Sequence, residues 1–424
     1  MGWRLYCTGL MVLRKAATVS ASREVIDTVV IGAGQAGLTA SYHLSQRGLP
    51  HVVLERGRVG ERWRSERWDN LHFQFPNTFA RLPGFPYDGD DPDGFMHRDG
   101  IVRTLDRYAQ RIAAPVRCGV AVRKVRAGEG GSLLVELDSH TIQARNVISA
   151  TGPYQTPRIP PVSRDLPAGV MQLTANRYAN ADQLAPGAVL VVGGGSSGYQ
   201  IAEDLNDQGR RVFLAVGRHR RLPRHYRGKD YGFWLEETGT AGQVGQNILV
   251  GQPTVLMSGY RGGRDVDIRI LAAQGVRMVG TLQGVEGSTV TFAQNLDELL
   301  AGADQGYANF KAIVDTYLER EGLDALPPEP EEPLPALDPT PASLDLEAED
   351  IRSVIWATGY TFDLGWVDLP VTDADGRPKH VRGVTDVPGF YFLGLQYLHA
   401  MRSAFFWGAD EDAAYLAEVI AGRS

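Results

Sequence analysis

Two short segments carry the residue types and spacing best suited to chemistry: Gly32-Ala33-Gly34-Gln35-Ala36-Gly37 and Gly193-Gly194-Gly195-Ser196-Ser197-Gly198. Each reads G-x-G-x-x-G. Each follows an apolar, β-branched run (Val25–Ile31 and Val189–Val192) and opens a helix-compatible stretch. In that setting Gly32 and Gly193 allow the tight turn off a strand. Gly34 and Gly195 let backbone approach a pyrophosphate, and Gly37 and Gly198 let the helix lie close on the sheet. The helix start at Gln35 and Ala36, or at Ser196 and Ser197, then offers unpaired N–H groups to phosphate oxygens.

The two units end differently. In the first, a helix to about Gln46 is stopped by Gly48 and Pro50, and the next strand, His51–Leu54, closes on Glu55 with Arg56 behind it. A carboxylate there accepts hydrogen bonds from a ribose diol. In the second, the strand Val212–Val216 runs into Gly217-Arg218-His219-Arg220-Arg221-Leu222-Pro223-Arg224. A carboxylate would repel a 2′-phosphate, whereas arginine holds it with charge-assisted hydrogen bonds. Arg218 is the first choice as phosphate ligand; Arg220 and Arg221 come after it. An acid-closed site and an arginine-closed site together predict FAD at the first unit and NADPH at the second. A further duplication supports two matched units: Val147–Gly152 and Val354–Gly359 are apolar runs ending in Ala-Thr-Gly. Thr151, Ala357, Thr358 and Gly359 from these exits, together with Val122, join the cofactor-binding candidates.

The rest of the chain must position these sites. Its 424 residues suggest two or three domains. Hydrophobic residues at 43% and charged residues at 22% are ordinary for a globular protein. The net charge of −7 argues against nucleic acid as the main partner. No apolar run is long enough for a membrane span. Two cysteines, Cys7 and Cys118, exclude a disulfide framework and any CxxC pair. Cys118 is expected to be a small buried apolar side chain. The nine histidines show no ligand spacing, so no metal site is predicted. Residues 1–24 read as a flexible extension, the prolines of 327–341 as an exposed loop, and Glu411–Ile420 as a closing helix. A cytoplasmic enzyme, monomer or homodimer, fits best.

From here the sequence resembles the two-dinucleotide-binding-domain flavoproteins, and within them the flavin-containing monooxygenases, including the plant auxin-forming type and related bacterial enzymes. Four stretches carry the resemblance: Gly32–Gly37; Gly60-Glu61-Arg62-Trp63 with Arg67–Pro76; Val192–Gly198; and Ala357-Thr358-Gly359-Tyr360. The resemblance implies an α/β fold of two Rossmann-like domains. An FAD domain (25–165 and 345–424) is interrupted by an inserted NADPH domain (166–344). It also implies that the segment 60–76 covers the flavin, with Trp63 against the cofactor and Gln74 at the ring edge where oxygen reacts. His72 lies in the same segment and is the other catalytic candidate. One departure stands out. The family's fingerprint, F-x-G-x-x-x-H-x-x-x-(F/Y/W), aligns here with Ala168, Val170, Thr174 and Tyr178, so threonine replaces the histidine.

The implied reaction is hydride transfer from NADPH to FAD, then addition of O2 to give a C4a-(hydro)peroxyflavin that oxygenates a small organic molecule. Oxygenation at nitrogen or sulfur is favoured over Baeyer–Villiger-type or decarboxylating chemistry. A flavin oxidase or reductase that never stabilises the adduct is the alternative, and the dithiol type of disulfide reductase is set aside for want of paired cysteines.

Overall fold

The computed structural model of the chain describes residues 24–244 and 254–423. The extension expected over 1–24, with Cys7, lies outside them except for Glu24, which already opens the first strand. Glu24 is held there by Arg117 at 2.7 Å and His140 at 3.0 Å, and these partners bring its carboxyl down to about 2.

Strand β1 (Glu24–Ile31), helix α1 (Gln35–Gln46) and strand β2 (His51–Glu55) form the first βαβ unit, β1 and β2 pairing in parallel. On the other side of β1 lies β3 (Thr141–Ser149), also parallel. The eight-stranded sheet continues outward from β2 to Val116–Cys118, and from β3 through Leu133–Leu137 and Val122–Ala127 to Val367–Asp368. Phe390–Phe392 pairs with the second half of β3. The central strands are buried on both faces, which is why Val29-Val30-Ile31 and Val52-Val53-Leu54 are continuous apolar runs rather than alternating ones.

The second unit is β4 (Ala188–Val192), α2 (Ser196–Asp207) and β5 (Val212–Ala215). Every residue of β4 is buried. At about 2 kcal/mol for each fully buried Val or Leu, its four large side chains contribute on the order of 8 kcal/mol before chain entropy is charged. An acid at Val191 would therefore break the domain. The long helix α3 (Leu296–Glu321) follows; Asp297 and Glu298 favour its start, and Gly322 ends it in the left-handed conformation. The sheet is completed by β6 (Ile351–Trp356), giving the all-parallel order Arg277–Val279, β5, β4, β6, Met171–Thr174. Helix α4 (Asp410–Ala421) then returns to pack on α1. Among the described residues no helix is long and apolar enough to cross a membrane.

The chain crosses between the two sheets twice, and the crossings meet. Thr156–Pro157 pairs antiparallel with Tyr360–Thr361, and Arg158 N–H donates to Gly359 O at 2.8 Å. This corrects the boundary expected at 344/345. Ser343–Asp345 still pairs with Thr289–Phe292 in the inserted portion, and β6 sits inside the second sheet. The return comes only after Trp356, because the Ala-Thr-Gly run belongs to the second glycine loop.

Candidate functional site

The first glycine loop is shaped by three contacts. Gly32 has φ +106°, and a Cβ on it would lie 2.7 Å from Ala150 O, so the turn accepts only glycine. A Cβ on Gly37 would fall 1.8 Å from Gly32 O. At Gly34 a Cβ would meet nothing within 4 Å: the chain itself does not need this glycine. A group approaching the loop does, and this is the position where a pyrophosphate would lie. Helix α1 starts there with no side-chain cap and no acid in its first turn, leaving its end amides free for an anion. Glu55 is buried at the end of β2. Its oxygens accept from Ala33 N at 2.8 Å and Gly57 N at 2.9 Å, so the carboxylate is oriented toward the loop with lone pairs to spare for a diol. These residues fit an adenine dinucleotide.

The remaining first-unit candidates spread around the loop. Thr151 follows β3 directly and its hydroxyl accepts from Gln155 at 2.8 Å. Val122 lies out on Val122–Ala127, paired with Leu137. Arg56 is exposed and tied to Glu66 at 2.9 Å. Trp63, on the short helix Glu61–Ser65, is partly buried between two apolar cores, with the Arg67 guanidinium 5.8 Å from its ring.

The second loop repeats the plan. Gly193 has φ +123°, with Ala357 O 2.3 Å from a Cβ there, and Gly198 lies 1.8 Å from Gly193 O by the same measure. Gly195 caps α2 without a side-chain bond or first-turn acid. The structure separates the two serines. Ser196 is engaged, donating to Val255 O at 2.6 Å and accepting from Met257 N at 3.1 Å, whereas Ser197 is half-buried. Thr358 hydrogen-bonds Arg158 O at the crossing, between Ala357 and Gly359.

The arginines after β5 divide sharply. Arg218 is exposed, with no ion pair among the described residues. Arg220 runs under α3, its side chain beside Gly306, and its buried Nε has no partner. Arg221 is committed to Asp267 and Asp304, both at 3.0 Å, and stacks on Tyr307 at 3.9 Å. Arg224 forms a buried pair with Asp230 at 2.6 Å. Of the four, Arg218 is the one presented to an incoming phosphate.

Gln74 and His72 sit where the second domain reaches the first. The Gln74 carbonyl accepts from Arg224 at 2.7 Å, so the buried pair above also pins this segment. His72 bonds Asn70 O at 3.1 Å, and its ring lies 5.4 Å from His97 and 5.5 Å from Tyr260. Burial is the main influence on it and pushes its pKa below the ordinary histidine value, so the ring is neutral at pH 7. Beside them Phe73, Phe75, Phe405, Phe406 and Trp407 form a ring cluster with centroid spacings from 4.8 to 6.1 Å. Sequence reading missed this convergence and the Arg224–Asp230 pair. The clustering of aromatics at 73–79 and 405–407 was the available signal.

Cys118 is a correction. It is exposed, not buried, because Val116–Cys118 is the outermost strand beside β2 and has no layer over its end. Among the described residues no group of His, Cys, Asp and Glu is arranged to hold a metal ion.

A family model described as pyridine nucleotide-disulphide oxidoreductase matches residues 29–238. A CzcO-like oxidoreductase of Geobacillus kaustophilus is 31% identical over 397 residues, covering 93% of this chain and 98% of its own. Indole-3-pyruvate monooxygenase YUCCA1 of Oryza sativa is 31% identical over 195 residues, 45% of this chain and 48% of its own. Among solved structures, a flavin-containing monooxygenase from Stenotrophomonas maltophilia superposes with a TM-score of 0.66 at 21% identity, covering 94% of this chain and 99% of that one.

Proposed function

The chain belongs to the CzcO-like oxidoreductases, and we propose that within them it is an FAD- and NADPH-dependent monooxygenase placing one atom of O2 on a small organic substrate. The observation that carries this reading is the pair of glycine loops, alike in backbone and opposite in the charge that closes them: Glu55 after the first, Arg218 after the second. FAD at the first loop supplies the two-electron centre and the activation of dioxygen.

The chain's own residues do the rest. Glu55 accepts from the flavin nucleotide's ribose, and the amides opening α1 hold its pyrophosphate. The α2 amides and Arg218 hold the reduced nicotinamide nucleotide, Arg218 selecting the phosphorylated form. The aromatic cluster of Phe73, Phe75, Phe406 and Trp407 keeps water from the reacting groups. Neutral His72 and the Gln74 amide offer hydrogen bonds without net charge. Soft nitrogen or sulfur centres are the favoured acceptors, because these surroundings supply no base to hold a reacting oxygen as the anion that carbonyl attack needs.

A second reading, a flavin oxidase or reductase, is favoured by one observation. Thr174 stands where the family fingerprint has histidine, and its hydroxyl is spent on Asn176 at 2.7 Å. One experiment separates the two: NADPH consumption measured across amines, sulfides and ketones, with product mass and peroxide quantified. Substrate-dependent consumption with a product heavier by one oxygen atom supports the monooxygenase. Consumption matched by equimolar hydrogen peroxide for every substrate overturns it.

A further inference from the structure

We propose that a cavity of about 240 Å³ between residues 81–86 and the start of α4 is a binding site for a small organic carboxylate with a planar apolar body. Its walls are Leu82, Pro83, Phe85, Pro86 and Trp407, with Arg81 at one side and Asp410 at another.

The loop is built to be rigid. Leu82 and Phe85 bond each other's backbone, at 3.0 and 2.8 Å, across a tight turn in which Gly84 has φ +65°. The buried Tyr108 hydroxyl anchors Pro83 O at 3.1 Å. An apolar cavity walled by a fixed turn costs little to organise around a ligand.

The charge in that cavity is unanswered. Arg81 is half-buried and makes one long hydrogen bond, to Thr78 O at 3.4 Å. Its guanidinium lies 5.1 Å from the Phe79 ring centroid and 6.0 Å from that of Trp407. No carboxylate among the described residues pairs with it. The nearby Glu236 is taken by Trp407 Nε1 at 2.6 Å and Arg402 at 3.2 Å. Asp410 is taken by His43 at 2.6 Å. Burial lowers the Arg81 pKa, the direction expected of a cation that lacks a counter-ion, though not nearly enough to discharge it. A guanidinium in an apolar pocket, stripped of water and without a partner, is a carboxylate receptor by chemistry alone. The aromatic and proline walls complement a flat apolar body. The inference does not depend on the flavin reading, since residues 81–86 and 407–410 build the cavity by themselves.

Trp407 provides the readout. The purified full-length chain is titrated with phenylacetate, the neutral 2-phenylethanol and the cationic phenethylamine while tryptophan fluorescence is followed, with Trp407→Phe identifying the responding ring. Phenylacetate is expected to bind at least about tenfold more tightly than either isostere. Arg81→Gln should remove that preference. Arg81→Lys, which keeps the charge and most of the stem, should retain part of it, and melting curves confirm that both variants fold. Equal affinity for phenylacetate and phenylethanol overturns the proposal. So does unchanged phenylacetate binding in folded Arg81→Gln.

Discussion

The two nucleotide units are built on one plan. In each, the first glycine's N–H bonds the last residues of the neighbouring strand, Gly32 to Leu54 O at 2.8 Å and Gly193 to Ala215 O at 2.9 Å. Each first glycine abuts the alanine carbonyl of its own Ala-Thr-Gly exit, and each third glycine abuts the first. Helices α1 and α2 both span twelve residues and both start uncapped. The units differ at the strand that follows. In the first, Glu55 folds back onto Ala33 N. In the second, Gly194 packs against Gly217, which leaves no side chain at the loop and carries the chain on to Arg218. Backbone shape thus creates a dinucleotide cradle in both places, and one residue position decides which dinucleotide it serves.

The comparison can be broken at its shared part first. Gly32→Val and Gly193→Val each force a β-branched side chain onto a positive φ and a carbonyl, at a cost of about 3 kcal/mol or more from backbone strain and clash. If the units are separate sites, the outcomes differ. Gly32→Val should purify without flavin absorbance. Gly193→Val should remain yellow, with NADPH no longer bleaching it. Loss of flavin from both variants would show that the loops act as one.

The discriminating residues come next. Replacing Glu55 by Gln removes a charge that orders two backbone amides and would face the ribose. Hydrogen bonds to charged groups are worth about 1.5–3 kcal/mol, so flavin affinity should fall roughly ten- to a hundredfold by equilibrium titration. Arg218→Ala should cost NADPH about tenfold or more in kcat/KM and leave NADH nearly unchanged, because only the 2′-phosphate loses a partner. Equal losses for both coenzymes would assign the selectivity elsewhere, with Arg220 the next residue to change.

The pattern that makes the units comparable is local, and so it was readable. Strand Val25–Ile31, the helix ending at Gln46 and strand His51–Leu54 differ from the observed elements by one residue or none. The closing helix expected at 411–420 is observed as Asp410–Ala421. What escaped depends on distant chain. Arg224 reads as another surface arginine until Asp230 and Gln74 O close around it. Arg221 looks equal to Arg218 until Asp267 and Asp304 claim it. Cys118 is apolar by type but falls at a sheet edge, a position that only strand order reveals. Helix α3 had signals of its own, with acids at 297 and 298 and a terminal glycine, but the proline tract beyond it draws attention to loop structure.

The smallest effect separates the units by pH. Each contains a histidine whose pKa is lowered chiefly by burial: His51, which opens β2 and bonds Ser41 at 2.8 Å, and His219, which bonds Gly217 O at 3.0 Å in the arginine loop. Unfolded, each titrates near 6.5; folded, each resists protonation. Above pH 6.5 both are neutral in both states and contribute no pH dependence. As pH falls below 6.5 the unfolded chain takes up protons that the folded chain refuses, so stability drops until the folded pKa is also passed. Each unit of difference in pKa is worth about 1.4 kcal/mol. Tm should therefore decline between pH 6.5 and 5 and be flat against these groups above pH 7. His51→Gln should remove its share of that slope with flavin binding retained, and His219→Gln its share with NADPH affinity also altered, since His219 follows Arg218 directly. A slope untouched by either substitution would place the acid sensitivity in other groups and leave the units alike in this respect.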